Sequence, residues 1–160
     1  MYVLIDVLGD ITNDHMADRA IVCFDGKETS KMADDSDWCY AATRGSKNAH
    51  TLNGGSPVHR TSHFHIEKNH PDLIAIGGTS GENDRYLTTP HAAYEFRIPL
   101  EQIGFEDDYG FFMQVFDGKT VMAYPNEHSG QYPQKIPSPE RWGMIISPDR
   151  SITSEHFNQK

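Results

Sequence analysis

Short segments in which apolar and polar residues alternate run along this chain, and turn-forming residues separate them. Between 92 and 100, Tyr94, Phe96 and Ile98 alternate with charged residues, as expected for a strand with one buried face. The dipeptide Asp117-Gly118 favours a tight hairpin turn between two such segments. We predict strands over 2–8, 19–24, 38–43, 59–67, 73–77, 92–100, 109–116, 120–124 and 142–146.

About nine short strands with little helix predict an all-β fold, an antiparallel β-sandwich of jelly-roll type. The first segment, 2–8, is a nearly continuous apolar run that only Asp6 interrupts, and we expect it to be a central strand buried on both faces. The segment 44–57 is rich in Gly, Ser and Asn and receives no assignment. We expect one domain over 1–148 and a polar, poorly ordered tail over 149–160.

Composition limits the classes of function. The 160 residues suit one domain with a buried core. Acidic residues outnumber basic ones by 23 to 14, giving a formal charge of −9, and no Lys/Arg cluster forms the basic surface that nucleic acids require. No apolar run is long enough to insert into a membrane. No signal peptide is visible, but the chain starts directly in a strand, which favours a trimmed piece of an extracellular or cell-surface protein.

The two cysteines, Cys23 and Cys39, bear on the redox compartment. Cys23 lies in an apolar run, and we expect it to be a buried thiol. A single disulfide is the alternative, and it would require an oxidising compartment.

An acidic segment follows the first predicted strand and suits a hard cation. Calcium binds six to eight oxygen ligands, and a strand end followed by an Asp/Asn-rich loop supplies several of them. Asp6 interrupts an apolar strand, where an unpaired carboxylate is costly. The alternative is a solvated loop with Asx turns. The candidate metal ligands are Asp6, Asp10, Asn13, Asp14 and Asp18.

Several motifs together resemble the family 9 carbohydrate-binding modules and the related DOMON-like domains. They are I-P-L-E-Q-I-G at 98–104, Y-G-F-F-M-Q-V-F-D at 109–117, A-Y-P at 123–125, P-x-x-W-G-x-I at 139–145, and the N-terminal strands with their "F-D" ending at 24–25. The resemblance implies a jelly-roll sandwich, structural calcium and a sugar ligand, with haem as another ligand of the scaffold. Members usually have one or two strands before the equivalent of Tyr2, so we expect an open sheet edge that a neighbouring domain or another chain completes.

Aromatic residues are the candidates for sugar binding, because a flat ring stacks on the apolar face of a pyranose. Trp38 follows an acidic run and is the first choice for a ring at the sheet rim; core packing is its alternative. Trp142 matches the P-x-x-W-G motif and is expected to be structural, with ligand contact as the alternative. The other candidates are Tyr40, Tyr86 and Tyr132, with Arg60 and Asn53 as polar partners.

Nine histidines are many for this length. His63 and His65 have the same strand parity as His59, and such a row is a candidate transition-metal site, although no Cys or carboxylate pattern completes it. No spacing of Met and His selects axial ligands, so haem is not expected. No catalytic motif is present.

We therefore expect a non-catalytic carbohydrate-binding module that calcium stabilises. Two alternatives stay open, an assembly or surface-layer module and a haem-binding redox domain.

Overall fold

Two antiparallel β-sheets form the part of the chain that the computed structural model describes, namely residues 1–12, 14, 18–26, 31–81, 83–85, 87–131 and 135–146. The strands are β1 (Tyr2–Val7), β2 (Arg19–Asp25), β3 (Asp37–Thr43), β4 (His50–Asn53), β5 (His65–Glu67), β6 (Ile74–Ser80), β7 (His91–Arg97), β8 (Asp108–Asp117), β9 (Thr120–Tyr124), β10 (Gly130–Gln131) and β11 (Gly143–Ile146). The helix α1 (Leu100–Ile103) and 3-10 helices at His59–Thr61, Asn126–His128 and Pro139–Arg141 complete these elements. None of the described helices has the length and apolarity to cross a membrane.

The small sheet has the order β1-β7-β6, and the large sheet has the order β10-β9-β8-β2-β3-β4-β5. Strand β8 is long enough to pair with β9 along its second half and with β11 along its first half. The hairpin between β8 and β9 turns at Gly118, whose φ of +55° suits glycine. The predicted all-β sandwich and the turn after Asp117 are thereby confirmed.

The prediction for the first strand is wrong. Strand β1 is an edge strand of the small sheet, and its burial alternates because Ile5 and Val7 face the core whereas Tyr2 and Leu4 are exposed. Strand β2, which lies between β8 and β3 in the large sheet, is buried on both faces. Continuous apolar character therefore does not distinguish an edge strand with an apolar outer face from a central one.

The segment 59–67 is also not one strand. His59–Thr61 form a 3-10 helix, Ser62 and His63 have positive φ, and only His65–Glu67 are extended. The unassigned segment 44–57 contains β4, which pairs with β3 and β5. The tail after 146 lies outside the described residues.

The core has two layers. Between the sheets, inward residues of the small sheet such as Tyr94 and Phe96 pack against Val22 and Phe24 of the large sheet. The other face of the large sheet is covered as well, and its second apolar cluster includes Phe64 and Trp142.

Cys23 and Cys39 form a disulfide in that second layer, directly opposite each other on β2 and β3. The expectation of a buried free thiol is therefore wrong. Both residues are fully buried, as expected, but strand register places the two sulfur atoms within bonding distance, and this cross-strand pairing is not visible in the spacing of the two cysteines.

Candidate functional site

Four charged residues meet at one end of the sandwich, and strand register brings them there. Arg19 of β2 pairs with Phe116 of β8 and with Thr43 of β3. One residue further along, Asp18 therefore lies beside Asp117 and Arg44, and the Arg44 backbone N–H donates to the Asp18 carbonyl at 2.9 Å.

Asp10 reaches the same place from the loop after β1, where its carbonyl accepts from the Ala92 N–H of β7 at 3.0 Å. We call Asp10, Asp18, Asp117 and Arg44 the acidic cluster. Asp10, Asp18 and Arg44 are buried, and Asp117 is half-buried. One ligand atom from each of the three carboxylates lies within 4.8 Å of the others.

The Arg44 guanidinium uses only part of the available oxygen atoms. Its Nη1 donates to Asp10 Oδ1 at 3.3 Å, to Asp18 Oδ2 at 3.4 Å and to the Thr12 carbonyl, and its Nη2 donates to Thr79 Oγ1 at 3.2 Å. The second carboxylate oxygens, Asp10 Oδ2 and Asp18 Oδ1, are buried and have no hydrogen-bond partner among the residues that the structure describes.

The acidic cluster contains three carboxylates but one guanidinium. Burial raises the pKa of Asp10, and the neighbouring carboxylates Asp18 and Asp117 raise it further against the opposing effect of Arg44. Burial raises the pKa of Asp117, and repulsion from neighbouring carboxylates raises it further. Burial also raises the pKa of the Tyr94 hydroxyl, to which Asp18 and Asp10 add. Burial is the first cause of all three shifts, and in each of them the neighbouring carboxylates raise the pKa whereas Arg44 lowers it.

Among the predicted calcium ligands, Asp10 and Asp18 come together and Asp14 lies beside them. The Asp14 N–H donates to Asp18 Oδ2 at 2.8 Å, and a Cβ on Gly118 would lie 2.6 Å from Asp14 Oδ2. Asn13 lies outside the described residues.

Asp6 is not part of the acidic cluster. Strand alternation turns it to the outer face of the small sheet, away from Ile5 and Val7. Its Oδ1 lies 2.7 Å from His91 Nε2 instead, so a partner there removes the cost that a lone carboxylate would carry.

Among the described residues, the predicted rim aromatics Trp38 and Tyr40 do not lie at a sheet rim. Trp38 and Tyr40 point into the layer between the sheets, where Trp38 is half-buried against the core and Tyr40 is fully buried. The Tyr40 hydroxyl donates to Gln102 Oε1 at 3.2 Å, and burial raises its pKa. The structural alternative for Trp38 therefore describes its environment better than a stacking role.

The remaining predicted sugar-binding residues are dispersed. Trp142 is buried on the other face of the large sheet, stacks on Phe64 and Phe112, and donates from Nε1 to the Pro137 carbonyl at 3.0 Å, in keeping with a structural role. Arg60 is exposed in the first 3-10 helix. Asn53 is buried and donates to the Asp35 and Asp37 carbonyls. Tyr86 and Tyr132 lie outside the described residues.

A groove of about 450 Å³ runs over the outer face of the small sheet. We call it the sheet-face groove. The register of β1, β7 and β6 places Leu4, Glu95 and Ile76 in one cross-strand row along its floor. Leu4 is 66% exposed and Ile76 is 49% exposed, and two exposed apolar side chains in one row mark a candidate contact surface. The groove is lined by Leu4, Asp6, Ile76, Ser80, Asp84 and Glu95.

One end of the sheet-face groove holds a second polar centre. His91, the first residue of β7, is fully buried. Its Nε2 faces Asp6 Oδ1 at 2.7 Å, and its Nδ1 lies 2.7 Å from the Thr89 carbonyl. The Thr89 carbonyl and the Asp6 carboxylate raise the pKa of His91, whereas burial opposes them. Asp84 lies close by, where it accepts from Ser80 Oγ at 3.0 Å and from the Leu87 N–H at 2.9 Å.

The predicted histidine row is wrong in its geometry, because His59 and His63 are not on a strand. The two rings still touch, with His59 Nδ1 and His63 Nε2 3.3 Å apart, but both residues are near the surface. His65 pairs with Glu67 instead, at 3.3 Å.

Arg44, Asp117, Asp84 and His91 are the residues that sequence reasoning missed. Asp117 ends a predicted strand and Asp18 immediately precedes one, but only the non-local pairing of β2 with β8 makes them neighbours. His91 begins the most clearly alternating segment of the chain, and the same alternation puts its side chain on the face of Asp6.

Comparison of the chain with models of protein families, with curated proteins and with solved structures finds no match.

Proposed function

We propose that the protein is a non-catalytic, extracellular binding module whose sandwich is stabilised by one calcium ion in the acidic cluster. One observation carries the calcium proposal. Two buried carboxylate oxygens, Asp10 Oδ2 and Asp18 Oδ1, lack a partner among the described residues beside a third carboxylate, Asp117. Buried polar atoms are almost always paired, and an oxygen-only set suits calcium.

The charge balance supports the same ion. Three carboxylates and one guanidinium leave two negative charges at the site, and a divalent cation neutralises both. Asp14 and backbone carbonyls of the loop between β1 and β2 would supply further oxygens, with water completing the six to eight ligands that calcium takes.

Such an ion would stabilise the native fold because it connects three places in the chain. Asp10 follows β1 of the small sheet, whereas Asp18 immediately precedes β2 and Asp117 ends β8, two strands of the large sheet. A ligand that binds only the folded state raises stability by mass action.

Thermal unfolding in calcium and in a chelator tests the calcium proposal. We expect the wild-type melting temperature to rise in calcium and Asp117→Asn to lose most of that increment, because the variant removes a charged ligand but keeps the side-chain shape. Asp107→Asn, in the exposed loop before β8, is the matched control and should keep the increment. Equal melting temperatures of the wild type in calcium and in chelator would overturn the proposal.

The ligand that we propose is a carbohydrate, bound in the sheet-face groove rather than on the aromatic rim predicted from sequence. Carboxylates such as Glu95 can accept hydrogen bonds from sugar hydroxyls, and Leu4 and Ile76 offer apolar surface to the C–H face of a ring. The disulfide supports an oxidising, extracellular setting.

A glycan array with the wild type and two matched variants tests this ligand surface. Ile76→Ser should abolish binding, whereas Ile66→Ser on β5, which is 75% exposed on the other sheet, should not. Binding that Ile76→Ser leaves intact would place the ligand elsewhere and contradict the groove. Binding of the wild type to no glycan would contradict the carbohydrate proposal itself.

If the wild type binds no glycan, the alternative is an assembly or surface-layer module, and one observation favours it. Strand β1 lies at the edge of the small sheet and exposes Tyr2 and Leu4, and such an edge can pair with another strand. Light scattering over a concentration series would then show self-association, and Leu4→Lys would reduce it.

A further inference from the structure

The Nε2 atom of the buried His91 imidazole faces a carboxylate. Which of the two ring nitrogens carries a proton determines how Nε2 can interact with that carboxylate. The Thr89 carbonyl only accepts hydrogen bonds, so the Nδ1 atom that lies 2.7 Å from it carries a proton. In a neutral ring Nε2 is then an unprotonated acceptor, yet it faces Asp6 Oδ1 at 2.7 Å. Two acceptors at this distance share a proton, and a metal ion that replaces this proton would join the same two atoms at a longer separation.

The surroundings are those of a metal-binding histidine. Histidines that bind metals usually donate their other N–H to a backbone carbonyl or a carboxylate, which fixes the tautomer and orients the ring, and Thr89 does this here. Asp84 brings a second carboxylate, so one atom from each of Asp6, Asp84 and His91 lies within 4.8 Å of the others.

We propose that Asp6, Asp84 and His91 form a site for a borderline transition-metal ion of the Zn²⁺ class, open to the sheet-face groove. One imidazole nitrogen and two carboxylate oxygens are a donor set that selects Zn²⁺ or its neighbours over calcium. Three protein ligands leave a further coordination position, as in zinc sites that bind water or substrate.

The site can accept the ion with a small movement. Ligand atoms in a tetrahedral zinc site are about 3.3 Å apart, given bonds of roughly 2.0–2.1 Å, so the contact between Asp6 and His91 must lengthen. The Asp6 side chain is 31% exposed toward solvent, whereas the His91 side chain is fully buried. Asp6 is therefore the side chain that moves, and His91 is the fixed ligand.

Solvent and ligands can also reach the proposed metal site. Asp6, Ser80 and Asp84 line both the sheet-face groove and the adjoining hollow along the loop after β6. The open coordination position therefore faces solvent, where an oxygen atom of water or of a bound ligand can occupy it. This site stands on its own contacts and does not depend on the calcium ion or on a sugar ligand.

Other histidine groups are weaker candidates. His70, Asp72 and Glu101 also bring three ligand atoms together, but Asp72 and Glu101 are exposed. His59 and His63 contribute only two rings at the surface. The combination of a buried histidine, a fixed tautomer and an adjoining groove singles out Asp6, Asp84 and His91 among the described residues.

Calorimetric titration with Zn²⁺ tests this proposal, on protein that is first stripped of metals and then equilibrated in buffer containing calcium. Calcium competes for oxygen-only sites, and the variants of Asp6 and Asp84 assign the zinc heat to the histidine site whether or not calcium binds the acidic cluster. We expect one zinc ion per chain, with binding weakened about tenfold or more in Asp6→Asn and in Asp84→Asn. His59→Gln is the control and should bind as the wild type does.

Asp6→Asn keeps its shape on an exposed face, so the variant should fold, and circular dichroism checks that it does. Substitution of Co²⁺ gives a second readout, because a visible absorption band of the bound ion should change in Asp6→Asn and stay unchanged in His59→Gln. The proposal is overturned if the wild type binds no zinc, since Asp6 and His91 are then an ion pair. It is also overturned if zinc binding is lost only in His59→Gln.

Discussion

The Arg44 guanidinium offsets part of the buried negative charge of the acidic cluster in the folded chain. Its guanidinium contacts both Asp10 and Asp18 inside the protein, with only 4% of its side chain exposed. A buried ion pair adds little net stability when complete, but removal of one partner leaves an uncompensated charge in a medium that solvates it poorly. Removal of the Arg44 guanidinium should therefore lower the stability of the fold by more than its two long contacts suggest.

Arg44→Met should lower the free energy of unfolding by about 3–5 kcal/mol in chelator, as expected when one partner of a buried pair is removed. Urea denaturation measures the loss. Arg97→Met is the matched control, because Arg97 is exposed and donates to the Asp72 carbonyl, and it should change stability by about 0.5 kcal/mol or less. A loss in Arg44→Met no larger than in the control would mean that the carboxylates are protonated or paired otherwise.

Individual residues also show what local sequence can predict. The sequence predicts that Asp10 and Asp18 are neighbours, because a short loop connects them. Asp6 belongs to the same acidic run, but the two-residue period of β1 turns it to the opposite face. Asp117 and Arg44 are far away in sequence, and only the pairing of β2 with β8 and β3 makes them neighbours.

At the level of elements, the small sheet docks onto the large one through a close backbone contact. Gly77 in β6 bridges to Arg44, and a Cβ there would lie 2.8 Å from the Arg44 nitrogen. Such a distance is too short for any side chain, so this glycine permits the two sheets to meet beside the acidic cluster. At the next residue, Gly78, a Cβ would meet nothing within 4 Å.

Substitutions of Gly77 and Gly78 give a prediction in which the second variant is the control for the first. Gly77→Ala should cost about 1–3 kcal/mol, as overpacking does, and should reduce the calcium increment because it displaces Arg44. Gly78→Ala should be neutral or stabilise by about 0.4–1 kcal/mol through the unfolded chain. Chemical denaturation of both variants measures the difference, and equal stabilities would show that the backbone contact does not hold the sheets together.

The elements themselves were predictable where one face is buried and turns are marked. Strands β7, β8 and β9 follow the predicted segments closely, because alternation and the Asp117-Gly118 turn are local signals. The segment before β5 was misread, since two residues with positive φ end a 3-10 helix there. The place of β1 was misread because its outer face is apolar as well, and a sequence does not reveal which sheet neighbours it has.

Over the whole molecule, part of the excess negative charge lies in two candidate sites. The formal charge is −9, and the described part of the chain gathers carboxylates both at the end of the sandwich and in the sheet-face groove. The two places differ in chemistry, since one offers oxygen atoms only and the other includes an imidazole. A sandwich built in this way can hold a hard cation for stability and keep a separate polar surface for ligands.

The most direct test of the calcium account is a crystal structure of the protein grown in calcium, with anomalous data that identify the ion. We expect one calcium ion within about 2.3–2.6 Å of an oxygen from each of Asp10, Asp18 and Asp117, with Arg44 still bonded to the other carboxylate oxygens. Absence of an ion there in well-ordered density, or Arg44 filling that position alone, would contradict it.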